Sequence, residues 1–146
     1  MHRWASGLVR TLLAALALLL PLGIRPMVSE LSAQAPSRLA VLWTSGDPEV
    51  ATRVAFMYTL NAKRQGWFDE VTLVVWGPSA QLLSRHSGLQ GAVKEMADEG
   101  VEIMACKACA DSYGVSEALE ALGIQVKYMG GPLTEMLKGD WKVITF

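Results

Sequence analysis

From residue 38 onward the chain alternates between two hydrophobic rhythms. Short and nearly continuous apolar runs at 38–44 (RLAVLWT), 70–76 (EVTLVVW), 101–105 (VEIMA), 124–129 (IQVKYM) and 141–146 (WKVITF) read as five strands. Runs without polar alternation suit strands covered on both faces. Between them apolar residues recur at intervals of three and four. Val50, Val54, Met57, Tyr58 and Ala62 predict a helix from Val50 to about Gln65, entered through Asp47 as N-cap and Pro48 at its first position and closed by Gly66. Leu82, Leu83, Leu89, Val93, Met96 and Ala97 predict a second helical stretch behind Gly77-Pro78, interrupted near Ser87-Gly88 and ended by Gly100. Shorter helices are expected over 108–113, over 117–122 behind a Ser116 cap, and over 133–138 after a Gly130-Gly131-Pro132 turn. Strands separated by helices predict a three-layer α/β/α sandwich with a mainly parallel five-stranded sheet, in a single domain over residues 36–146. The strand order is not legible.

Residues 1–35 follow another pattern. Arg3 and Arg10 precede the run Thr11–Leu22 (TLLAALALLLPL), and Ala33-Gln34-Ala35 closes the stretch. A positive end, a short apolar run and a small-x-small tripeptide predict a secretory signal peptide or an N-terminal anchor. The run is too short to span a bilayer, which takes about 20 residues. Export to the periplasm or beyond is the expected location. An uncleaved segment would anchor the protein at the membrane, and translation starting at Met27 would leave it in the cytoplasm. Losing Arg3, Arg10 and Arg25 with Glu30 leaves 10 basic and 13 acidic side chains, a formal charge of −3. Such a domain has no basic surplus with which to neutralise phosphates, so nucleic acid is not an expected partner.

In a parallel sheet the loops leaving the carboxyl ends of the strands gather at one edge, where open α/β proteins place their ligand sites. Here those loops hold Ser45-Gly46-Asp47, Trp76-Gly77, Gly130-Gly131 and the run Cys106-Lys107-Ala108-Cys109. The first three are candidate pocket segments; Ser45-Gly46-Asp47 suits an anion at a helix start or simple capping. The cysteines are the candidate chemistry. A thiolate is the nucleophilic form of cysteine, and a helix N-terminus with Lys107 nearby favours it. The plainer alternative is two small apolar residues packed under a helix. Zinc needs four ligands, or three and a water, and His86 is the sole histidine left after residue 35, so no metal site within one chain is expected. His86 itself reads as a solvated helix-surface residue. A Cys-x-x-Cys near a βαβ pattern also suggests thioredoxin chemistry. The pair follows the third strand, however, and lacks the Trp-Cys-Gly-Pro-Cys surroundings of that family.

The segments Leu42-Trp43-Thr44-Ser45-Gly46-Asp47-Pro48, Trp76-Gly77-Pro78-Ser79 and Ala105-Cys106-Lys107-Ala108-Cys109-Ala110-Asp111-Ser112-Tyr113-Gly114-Val115 resemble the DsrE/DsrF-like sulfur-relay family. So do Val126-Lys127-Tyr128-Met129-Gly130 and Trp141-Lys142-Val143, and the likeness covers about residues 38–146. Family members carry a sulfur-bearing cysteine eight residues before the glycine of an Arg-Gly-Val-like turn. Counting back from Gly114 gives Cys106. The resemblance implies a trimer or hexamer that accepts sulfane sulfur on Cys106 as a persulfide and hands it on between donor and acceptor proteins or small sulfane compounds. It implies no organic cofactor. Cys109 would resolve or protect the persulfide, and Lys107 would support the thiolate. In an oxidising compartment the pair could instead close as a disulfide. A non-catalytic oligomeric binding module and a thiol-disulfide oxidoreductase using Cys106 and Cys109 are the alternatives. The leading reading requires the Cys106 thiol to be accessible from solvent.

Overall fold

The apolar runs form one sheet in which every strand is parallel to its neighbours, in the order β4-β3-β2-β1-β5. The strands are β1 (Arg38–Trp43), β2 (Glu70–Val75), β3 (Glu102–Cys106), β4 (Gln125–Lys127) and β5 (Trp141–Thr145). The computed structural model describes residues 35–146. The export segment expected over residues 1–35 lies, apart from Ala35, outside the described residues. The helices are α1 (Pro48–Val50), α2 (Met57–Arg64), α3 (Pro78–Arg85), α4 (Ser87–Asp98), α5 (Lys107–Ser112), α6 (Ser116–Glu120) and α7 (Gly130–Lys138), with a π-helical stretch Ala51–Phe56 joining α1 to α2.

The strand order explains the layering. Steps β1 to β2, β2 to β3 and β3 to β4 all run toward one edge, so right-handed crossovers put their helices on one face. The connection from β4 to β5 runs back across the sheet, and the same rule sends α7 to the other face. The main core accordingly lies on the first face. Leu39, Val41 and Trp43 of β1, Val71, Leu73 and Val75 of β2, and Ile103 and Ala105 of β3 pack there against Ala55, Phe56, Leu83, Leu89, Met96 and Leu119. The alternate strand positions face α7's side, where Val74, Met104, Cys106 and Met129 form a smaller cluster edged by Leu42, Trp76 and Cys109.

Four expectations need correction. The inward face of the first helix is Ala51, Ala55, Phe56, Thr59 and Ala62, whereas Val54 and Met57 are 38% and 56% exposed. The extra residue of the π-helical stretch shifts the phase, so that four small side chains and Phe56, rather than Val54 and Met57, lie against the sheet. The break in the second helical stretch falls at His86, whose Nδ1 accepts from the Leu89 N–H at 3.2 Å, so this exposed residue caps α4. Ser116 is not a cap: Val115 holds that place, and the Ser116 hydroxyl donates to Asp111 at 2.6 Å. Gly130-Gly131-Pro132 is the first turn of α7, so the β4 strand ends earlier than expected, at Lys127.

Candidate functional site

Cys106 is the last residue of β3 and the N-cap of α5, and Cys109 lies one turn into that helix. This corner has a topological cause. The chain leaves β3 toward the helical face and leaves the adjacent β4 toward α7, so the two connections part between neighbouring strands. Such a switch point opens a crevice at the carboxyl edge of the sheet. Cys106 pairs in register with Lys127 at that point, and Met129 follows two residues later.

Strand alternation turns the Cys106 side chain toward the smaller cluster, where it is 3% exposed. The accessible thiol expected from the sequence is therefore not found at Cys106. Cys109 is the half-buried member and lies nearer the surface. Both thiols are free. Burial pushes the Cys109 thiol above the ordinary cysteine range; the Gly77 N–H donating to its sulfur acts in the opposite direction, and the neighbouring Cys106 raises it further. Cys109 is thus a protonated thiol at neutral pH, packed at the edge of the cluster that holds Cys106.

The Lys107 ammonium is engaged elsewhere. It lies 2.8 Å from both carboxylate oxygens of Asp111 and 5.9 Å from the centre of the Tyr128 ring. Bonding to Asp111 raises the Lys107 pKa, and bonds from Lys107 and then Ser116 lower that of Asp111. A cation already neutralised in this way gives little field to a thiolate.

The other candidate segments meet the cysteines unequally. Trp76 edges the Cys106 cluster, and Gly77, at φ +71°, caps α3 and turns its N–H to Cys109. Gly46 approaches the same turn: a Cβ there would sit 3.3 Å from the Pro78 side chain. Asp47 accepts from the Glu49 N–H at 2.8 Å, and Ser45 Oγ accepts from the Asp47 N–H at 3.1 Å, so both close the turn into α1. Gly130 and Gly131 are exposed in the first turn of α7, directly after buried Met129. Among the described residues no group of three or more His, Cys, Asp or Glu is arranged to hold a metal ion.

Sequence reasoning missed Ser79 and the two methionines. Ser79 Oγ donates to the Trp43 carbonyl at 2.6 Å and accepts from the Trp76 N–H at 2.9 Å, tying together the ends of β1 and β2. A small hydroxyl residue one place after the Gly77-Pro78 helix start was the available signal. Met104 could have been found by counting two residues back from Cys106 along one strand face. Met129 had no local signal.

Residues 37–146 match the profile of the DsrE/DsrF-like family. A conserved protein of unknown function from Bacteroides thetaiotaomicron, BT1422, is 35% identical with a TM-score of 0.72, over 75% of this chain and 95% of that one. The fold is also that of ychN from E. coli, at 14% identity and a TM-score of 0.61, over 75% of this chain and 99% of that one. MTH1491 from Methanobacterium thermoautotrophicum, of unknown function, aligns at 20% identity and a TM-score of 0.63 over the same shares. No curated protein gives a significant sequence match.

Proposed function

Because the chain belongs to the DsrE/DsrF-like family, whose members work with partners in sulfur relay, we propose that it is an exported carrier of sulfane sulfur, with Cys106 as the sulfur-bearing residue. The observation that carries this reading is a dithiol at the switch point, with a protonated Cys109 over a shielded Cys106. The Cys106 thiolate attacks the outer sulfur of a persulfide donor R–S–SH. The donor's S–S bond breaks, R–S⁻ leaves, and Cys106 becomes a persulfide. Reversal of this step on an acceptor thiolate passes the sulfur on. Because Cys106 is 3% exposed, entry requires the Cys109 side chain to move aside, and its return shelters the persulfide from solvent thiols.

Cys109 also sets the competing reaction. As a thiolate it would attack the inner sulfur of the Cys106 persulfide, forming the Cys106–Cys109 disulfide and releasing the outer sulfur as hydrogen sulfide. Its raised pKa keeps it a thiol and slows that loss. Exposed Tyr128, the residue after β4, and exposed Leu137 of α7 supply apolar surface for assembly into a trimer or hexamer.

The test is incubation of the reduced protein with a persulfide donor, alkylation, and intact mass measurement. Parent protein gains one sulfur and Cys106→Ser gains none, while Cys109→Ser gains it and then loses it faster to added thiol. Sulfur gained equally by all three proteins, or gained on Cys109 alone, overturns the assignment.

A further inference from the structure

The cluster around Cys106 brings together four sulfur-bearing side chains. Met104 lies two residues before Cys106 on the same face of β3, and Met129 follows the adjacent strand β4. Both pack with Cys106 and are 5% and 0% exposed, and Cys109 packs against the cluster's edge. The remaining members, Val74, Leu42 and Trp76, are apolar. Two thiols and two thioethers, all but Cys109 buried, form a donor set without oxygen and without imidazole.

We propose that this cluster is a monovalent copper site, in which the Cys106 and Cys109 sulfurs bind Cu(I) and a thioether of Met104 or Met129 completes the coordination. Soft thiolate and thioether donors select Cu(I), whereas zinc favours four-coordinate sites or three ligands with a water. Binding exchanges two thiol protons for one Cu(I), leaves the metal's oxidation state unchanged, and leaves one net negative charge on the bis-thiolate. The Gly77 N–H, which already donates to the Cys109 sulfur, faces that charge. The apolar members shelter the ion from water and oxidants. The inference stands apart from the relay reading: copper requires both thiols together, and sulfane loading requires Cys106.

The full chain, reduced and free of oxygen, is titrated with Cu(I) against a chromogenic Cu(I) chelator. One Cu(I) per chain held against the chelator, with near-ultraviolet thiolate-to-copper absorption, is expected. Cys106→Ser and Cys109→Ser each abolish that retention. The double variant Met104→Leu/Met129→Leu, a volume-conserving exchange that leaves the core filled, weakens binding by at least about tenfold, the lower end of what even outer-shell partners are worth to a metal site. Unchanged circular dichroism checks that each variant is folded. No retained copper, retention by either single cysteine variant, or Zn(II) held as firmly as Cu(I) overturns the site; unaltered affinity in the double methionine variant overturns the thioether donor. Failure to hold copper with sulfane loading intact removes this inference alone, and the reverse result removes only the relay reading.

Discussion

The Ser79 hydroxyl, 0% exposed, holds the Trp43 carbonyl and the Trp76 N–H with one atom. Ser79→Ala leaves these two groups bonded only to each other, Trp76 N–H to the Trp43 carbonyl at 2.9 Å, so the expected loss is about 0.5–1.5 kcal/mol, read from urea unfolding. Gly77→Ala acts differently. A Cβ at Gly77 meets nothing within 4 Å, so the cost is conformational, about 1–3 kcal/mol for an L residue held at φ +71°. Turning the Gly77 N–H away from Cys109 removes the bond that lowers its pKa, so the Cys109 thiol titrates at higher pH than in the parent. The same raised pKa sets the pH dependence expected of the proposed Cys106 persulfide. Cys109 stays protonated below its raised value, so the persulfide should be long-lived at neutral pH and shorter-lived as the pH rises through that value. Cys109→Ser flattens that profile, as followed by hydrogen sulfide release.

At the scale of elements, Asp111 joins α5 to α6 by accepting from Lys107 and Ser116. Its folded-state pKa is lowered, so its contribution is complete above the ordinary carboxylate range and is lost as the pH falls through the lowered value. Melting curves should show parent and Lys107→Met converging in acid and separating above it. The first helix shows why its inward face could not be read from apolar spacing. The Thr59 hydroxyl, although polar, is buried because it donates to the Ala55 carbonyl at 2.7 Å. Phe56 sits inward because the π-helical phase brings it edge-on to Trp43, with ring centroids 4.8 Å apart. Asp47→Ala removes the cap that starts this helix and should cost about 0.5–2 kcal/mol.

Among the described residues the layers are unequal. Six helices and the π-helical stretch serve the crossovers on one face, and of these residues only α7 serves the other. The cysteines lie where these layers part, so their reactivity reports on opening of the fold. A small alkylating reagent should modify Cys109 first. Cys106 should react only at the rate at which the β3–α5 corner opens, accelerating in urea below the unfolding midpoint. Equal labelling rates for both thiols in native buffer contradict this picture of the site.

The sequence by itself determined the five strands, most helices and the edge at which candidate chemistry collects. Apolar runs, Gly-Pro stops and strand-to-helix alternation are local signals, and Cys106-Lys107-Ala108-Cys109 could be placed at the end of the third strand by them alone. Tertiary structure decided the rest. Strand order put β4 beside β3 and sent α7 to the far face, which made the cysteine corner a switch point and brought Met129 to Cys106. Burial decided which thiol is shielded, and Asp111 decided where the Lys107 charge goes. Each of these depends on contacts between segments far apart in the chain, or on which neighbour reaches a charge first, and no local pattern of apolar and polar residues encodes either.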